Sequence, residues 1–77
     1  PNPFHNNTTF NYSMANAGIV RITLFDMNGR IVRTLINGWQ SEGTHKLIFD
    51  TGNIIPGLYY YRMETGTFRD TKKMTIL

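Results

Sequence analysis

The sequence predicts an all-β fold, an antiparallel β-sandwich of six to seven strands, and two observations carry this prediction. Short stretches rich in β-branched and aromatic residues alternate apolar with polar side chains, and turn signals separate them about every ten residues. No stretch has a helical period. Six strands with apolar faces cannot bury those faces in one flat sheet, so two sheets must pack face to face.

The predicted strands cover most of the chain. They run over residues 8–12, 19–26, 30–36, 43–50, 58–65 and 68–77, and residues 53–55 could supply a seventh. Turns are predicted at 16–18, 28–29, 37–38 and 56–57, where Gly, Asn and Pro favour turn geometry. Residues 1–7 are predicted to form an extended N-terminal segment and residues 8–77 the domain.

Alternation also predicts which side chains face the core. Val20, Ile22 and Leu24 share one face of the second strand, whereas Arg21 and Thr23 point outward. The same reasoning assigns core positions to Phe10 and Tyr12, to Val32 and Leu35 across a bulge, to His45, Leu47 and Phe49, and to Met74 and Ile76.

The composition fits one small globular domain. The 77 residues are 40% hydrophobic and 17% charged, too apolar for a disordered segment. The absence of cysteine excludes disulfides and thiolate metal sites. No apolar run approaches the roughly 18 residues of a membrane span, so no transmembrane segment is predicted. The start lacks an initiator Met and a signal peptide, so we expect a piece of a larger parent.

The net charge is +3, and only Lys72 and Lys73 are adjacent among the dispersed basic residues. Nucleic-acid binding needs a clustered basic face. The sequence therefore predicts a mildly basic solvated surface and no nucleic-acid partner.

Nothing in the sequence indicates an enzyme, a cofactor or a metal site. Asp26 and Asp50 each precede a glycine-containing turn, which favours capping of backbone N–H groups over a catalytic or calcium-binding role. Two carboxylates could in principle hydrolyse a glycoside, but so small a domain has little surface to enclose a substrate. His5 and His45 are distant in sequence and match no metal-ligand spacing.

Two segments leave alternatives open. Trp39, predicted to lie in a loop, could stack on carbohydrate together with Tyr59, Tyr60 and Tyr61. We favour core positions for Tyr59 and Tyr61, with one hydroxyl bonded to the backbone as in the tyrosine corner of immunoglobulin-like domains. The cation-led strand that ends in Leu77 could be a protected sheet edge or could present itself to a receptor by strand addition, and physical reasoning leaves these two equal.

An ordered set of short motifs points to a known family. The set comprises Pro1-Asn2-Pro3-Phe4 before Thr8-Thr9, Gly18-x-Val20, Phe25-Asp26-x-x-Gly29-Arg30-x-Val32, Gly43-x-His45, Gly57-x-Tyr59-x-Tyr61-Arg62 and Thr71-Lys72-Lys73-Met74. Together they resemble the type A C-terminal sorting domain of the type IX secretion system, also called the Por secretion tail, over essentially the whole chain. One departure is Phe49, where the family often has tryptophan.

The resemblance implies an immunoglobulin-like sandwich fused behind a secreted cargo protein of a Bacteroidota-type bacterium. The parent would cross the inner membrane by a signal peptide and reach the cell surface or medium through the periplasm and the outer-membrane translocon. A surface sortase would then remove the domain. Recognition maps onto seven residues here: Lys72, Lys73, Met74, Ile76, Leu77, Gly57 and Tyr59. No catalytic residue is implied.

The alternative function is an accessory or adhesive immunoglobulin-like module. It could bind carbohydrate through Trp39, or resemble the immunoglobulin-like domain of the flagellar hook-capping protein, which shares the hairpin and the Gly-x-Tyr segment. The resemblance makes the secretion address the favoured interpretation, and the final strand that ends in Leu77 fits a C-terminal tail.

Overall fold

The structure, a computed structural model, describes residues 7–77. This range contains six strands and no helix. The strands are β1 (Asn7–Met14), β2 (Gly18–Phe25), β3 (Ile31–Gln40), β4 (Gly43–Asp50), β5 (Gly57–Glu64) and β6 (Arg69–Ile76). The all-β prediction is confirmed, with six strands rather than seven. The extended segment predicted for residues 1–7 lies, apart from Asn7, outside the described residues, and that division of the chain stays a prediction.

The strands form two antiparallel sheets that pack as a sandwich. β1 pairs with β4 in one sheet, and the other sheet has the order β3-β2-β5-β6. The chain therefore crosses between the sheets after β1, after β3 and after β4, which is the connectivity of an immunoglobulin-like sandwich. Because two strands face four, the smaller sheet covers only part of the larger one.

The core lies along the inner face of β2. Val20, Ile22 and Leu24 are essentially fully buried, as their alternation predicts. Val20 and Ile22 pack with Met14 of β1, and Leu24 packs in a second cluster with Ile54, Tyr59 and Ile76. Each cluster thus joins β2 to other elements, and β2 is the element that the two clusters share.

Two contacts fix how the sheets face each other. The ring of Phe10 in β1 lies 4.5 Å from the ring of Tyr61 in β5, centroid to centroid. Arg33 of β3 donates from Nη1 to the carbonyl oxygen of Asp50 in β4 at 2.7 Å. One contact is apolar and the other polar, and both bridge the layers.

Asp26 caps the β2–β3 turn, as predicted. Its Oδ1 accepts the backbone N–H of Asn28 at 2.8 Å and that of Arg30 at 3.0 Å. Gly29 has φ of +83°, a left-handed conformation that strains other residues. The hydrogen bonds and the ion pair with Arg30 lower the pKa of Asp26 below its ordinary value, and the Arg30 backbone bond is the largest cause.

The prediction that β3 ends at residues 37–38 was wrong. Asn37 pairs with Arg21 and Gly38 pairs with Val20, so the ladder continues to Gln40 and the chain turns only before Gly43. Trp39 consequently lies in a strand, not in a loop. An Asn-Gly pair makes a turn only where the partner strand stops, and here β2 extends back to Gly18 and keeps the pairing intact.

Val32 was also predicted wrongly, since it is 38% exposed. The predicted bulge exists, and a second register shift accompanies it, so β3 is irregular at two places opposite β2. Leu35 packs against the core, whereas Val32 lies beside the shift nearest the turn. The spacing of apolar residues within one strand does not show how many bulges its pairing contains.

Residues 53–55, considered as a seventh strand, form a turn. The N–H of Ile54 donates to the carbonyl of Thr51 at 3.0 Å, and the side chain of Ile54 is buried in the core. This segment therefore closes the end of the sandwich between β4 and β5 without adding to either sheet.

We predict that Leu24→Ala lowers the free energy of unfolding by about 3 kcal/mol, because it leaves a cavity in a fully buried site. Urea titration followed by circular dichroism measures the change. Ile31→Ala, at a side chain that is 65% exposed, is the control and should change stability by less than about 0.5 kcal/mol. Equal losses from the two substitutions would contradict the assignment of the core.

Candidate functional site

The C-terminal strand β6 is an edge of the four-stranded sheet. Within the described residues it pairs with β5 alone, in a continuous register from Gly57 opposite Ile76 to Glu64 opposite Arg69. The backbone groups on its outer edge therefore face away from the sheet. Such an edge is where an extended segment of another protein can add a strand.

Lys72 and Lys73 point to opposite faces of the sheet. Lys72 is opposite Tyr61, on the face toward the sandwich interior, and Lys73 is opposite Tyr60 on the outer face. The ammonium group of Lys72 lies 3.9 Å from a carboxylate oxygen of Asp70. The two adjacent cations therefore flank the strand edge and do not form one basic patch on a single face.

Met74 and Ile76 contribute to the core. Ile76 is 3% exposed and lies in one cluster with Tyr59, against which Met74 also packs. Leu77, by contrast, is 87% exposed just beyond the strand. In this C-terminal segment, Lys72, Lys73 and Leu77 are thus exposed, whereas Ile76 is buried and Met74 is half-buried against the core.

Tyr59 and Gly57 shape the start of β5. The hydroxyl of Tyr59 donates to the carbonyl of Ile55, four residues upstream, which confirms the predicted tyrosine corner. Gly57 has φ of +153°, and a Cβ there would lie 3.9 Å from the Tyr59 ring. Gly57 is therefore required by backbone conformation more than by space.

The outer face of the larger sheet gathers charges that are scattered in the sequence. Glu64 of β5 lies between two arginines: Arg21 Nη2 of β2 at 3.0 Å and Arg69 Nη2 of β6 at 3.2 Å. Arg62 stacks on the ring of Phe25, 4.7 Å from its centroid. The hydrogen bond from Arg21, then that from Arg69, lowers the pKa of Glu64 below its ordinary value.

Sequence reasoning missed this face. The signal was present, because basic residues at alternate positions of neighbouring antiparallel strands share a face once the register is known. The basic residues are dispersed along the chain, and we therefore predicted that they are dispersed over the surface. The pairing of β2, β5 and β6 instead brings several of them to one face.

The aromatic residues do not assemble into a carbohydrate platform. Tyr59 and Tyr61 face the core, and Tyr60 lies opposite Phe25. Trp39 is 65% exposed on the outer face, but its paired residue is Ile19, at the other end of β2. Trp39 is thus available to a partner without support from the tyrosines.

The remaining candidates are the two histidines and a surface cavity. His45 stacks on Tyr12, and its Nε2 lies 2.7 Å from the carbonyl oxygen of Ser41, while His5 lies outside the described residues. A cavity of about 710 Å³ opens between the β1–β2 and β5–β6 turns. Of the residues that the structure describes, those that line it are small, polar uncharged or apolar, among them Met14, Ile19 and Phe68.

Within residues 7–77 there is no helix of the length and apolarity needed to cross a membrane. The same residues contain no group of three or more histidine, cysteine, aspartate or glutamate side chains placed to hold a metal ion.

Comparison with known proteins gives one result. The family model described as the secretion system C-terminal sorting domain matches residues 1–77, the whole chain. No curated protein and no solved structure matches the chain significantly. The match bears out the resemblance seen in the motifs, and the family is a sorting-signal domain and not a known catalytic family.

We predict that acid destabilises the fold partly through Glu64. Because its pKa is lower in the folded state, the stabilisation is complete above the ordinary value of 4.5 and is lost as the pH falls through the folded-state pKa. Urea midpoints measured from neutral to acidic pH should fall less for Glu64→Gln than for the unchanged protein. Glu42→Gln, which removes an exposed carboxylate from the β3–β4 turn, is the control. Identical pH profiles for the two variants would contradict this role.

We predict that Gly57→Ala destabilises the domain by about 1–2 kcal/mol, because alanine is strained at this positive φ. Thermal or urea unfolding measures the loss. Gly66→Ala in the β5–β6 turn is the matched control, since Gly66 has no positive φ and nothing lies near its added Cβ. A loss at Gly66 as large as at Gly57 would show that the conformation at Gly57 is not the cause.

Proposed function

Because the chain belongs to the family of type IX secretion C-terminal sorting domains, we propose that it is the export address of a larger protein. In this proposal the domain is fused behind an N-terminal cargo and directs that cargo through the outer-membrane translocon to the cell surface or the medium. The machinery reads strand β6. The family supports the sorting role, and the route and the fusion are the proposal.

The observation that supports recognition through β6 is that this strand forms an edge of the sheet. Its outer backbone groups are unpaired by any described strand, and its side chains alternate between the two faces. A receptor strand added to this edge would gain main-chain hydrogen bonds and meet one lysine on each face. Lys72, with a side chain 64% exposed, is open to such a partner.

The seven implied residues then have two roles. Lys72, Lys73 and Leu77 are exposed and can contact the receptor directly. Ile76 and Tyr59 are buried, and together with Met74 and Gly57 they keep β6 in its register on β5. The first group supplies side chains that bind the receptor, and the second group holds the edge of β6 where a receptor strand can pair with it.

The remaining steps follow from the family and concern the parent protein. An N-terminal signal peptide on the parent would bring it into the periplasm, and the translocon would then recognise the folded domain. A surface sortase would remove the domain from the exported cargo. None of these steps asks the domain itself for catalysis, a cofactor or a metal.

We predict that a parent carrying Lys72→Ala and Lys73→Ala accumulates in the periplasm, because the receptor loses both charged contacts. Fractionation of the producing bacterium and immunoblotting of the cargo measure this. The lysines are exposed, so circular dichroism of the purified variant should show an intact fold. Lys46→Ala, on the exposed side of β4, is the control and should leave export unchanged.

Deletion of residues 72–77 from the parent gives the stronger version of this test. It removes Ile76 from the core as well as both lysines, so the expected trapping combines lost contacts with lost folding. Normal surface display of either altered parent would refute the sorting role of β6. The accessory-module alternative would then be favoured.

A further inference from the structure

The whole net charge of the protein lies on one surface, the outer face of the four-stranded sheet. Five charged side chains share this face by register: Arg21, Arg62, Glu64, Arg69 and Lys73. The other four basic residues of the chain are balanced by the other four acidic ones, so the net charge of +3 belongs to this face. All charged side chains lie among residues 7–77.

The cations form a compact group in the middle of the face. Register places Arg62 of β5 opposite Thr23 on one side and Thr71 on the other. Arg62 Nε contacts the Thr71 hydroxyl at 3.4 Å, and its guanidinium covers the Phe25 ring. Arg69 and Lys73 lie two residues to either side of Thr71 on β6. These contacts hold the guanidinium group of Arg62 in place on the sheet.

The ends of the face carry exposed apolar side chains. Ile19 and Trp39 are paired at one end and are 58% and 65% exposed. Ile31 and Leu58, which flank the other end, are also exposed. A basic centre with apolar ends and an exposed tryptophan has the composition of a protein interface, where arginine and aromatic residues dominate binding.

We propose that this outer face docks onto an acidic surface of a partner protein, and that carboxylates of the partner bind the exposed sides of its guanidinium groups. The face already shows the chemistry, because Arg21 and Arg69 hold the carboxylate of Glu64 between them. Guanidinium groups fit carboxylates in a planar, two-pronged geometry that lysine cannot match. The face shares Arg69 and Lys73 with β6, but its other cations lie on β2 and β5, and the proposal does not depend on the sorting role.

Charge density favours a protein partner over nucleic acid or lipid. A phosphate polymer that engaged three net charges would lose roughly 40-fold in affinity between about 50 and 200 mM salt. An anionic bilayer would gain only weak, reversible attachment from so few charges. A protein partner, by contrast, can offer carboxylates to the basic centre and apolar side chains to Trp39 and Ile19 at its end.

The test uses the full chain and a labelled peptide of alternating Glu and Thr as the probe. Amide chemical-shift mapping locates its binding, and fluorescence anisotropy measures its affinity. An oligothymidylate of equal charge and vesicles of phosphatidylglycerol are the competing probes. We expect the acidic peptide to shift amides of β2, β5 and β6 and to bind more tightly than either competitor.

Two matched double variants test the location. Thr34→Glu with Asn37→Glu adds two carboxylates to the outer face without touching β6, and we expect affinity for the acidic peptide to fall about tenfold. Thr9→Glu with Thr44→Glu makes the same charge change on the outer face of the smaller sheet and should have less than about a twofold effect, because screening limits its reach.

The proposal is overturned if the two double variants weaken binding equally, since that would indicate a response to net charge alone. It is also overturned if the oligonucleotide or the vesicles bind more tightly than the peptide, or if the peptide shifts no amide on this face. Shift mapping on the unaltered chain decides the location even where a variant fails to fold.

Discussion

The burial of one strand, β2, is the constraint on which the rest of the structure depends. Val20 and Ile22 belong to one core cluster and Leu24 to the other, and β2 pairs with β3 on one side and β5 on the other. Its opposite side chains, among them Arg21, are forced outward by the same alternation. A single period of two residues therefore builds the apolar core and gathers the charges on the outer face.

Most of the fold could be predicted from the sequence, because strand alternation is local and strong in β2, β4 and β6. The errors arose where a local signal depends on a distant partner. Asn37-Gly38 has the composition of a turn, yet the length of β2 carries β3 through it, and Trp39 becomes a strand residue. The exposure of Val32 has the same cause, because the positions of bulges depend on strand pairing, which the sequence of one strand does not show.

The candidate site was predictable as a segment and not as a surface. The motifs identify the residues, but burial separates them, because Ile76 and Tyr59 lie in the core while Leu77 and the lysines are exposed. The basic face was not predictable without register, since Arg21, Glu64 and Arg69 lie far apart in the chain and meet only through β5. The motifs of this small domain thus mix exposed residues with buried residues that support the fold around them.

The attachment of β6 by a single ladder has a mechanical consequence. A force that pulls the C-terminal end of β6 away from β5 would break the hydrogen bonds of this ladder one after another. It would not load all of them together. Strands opened in this way yield to much smaller forces than strands pulled along their length. The segment that we propose as the recognition strand is thus also the one that would separate first under load, with Ile76 the first core side chain to leave.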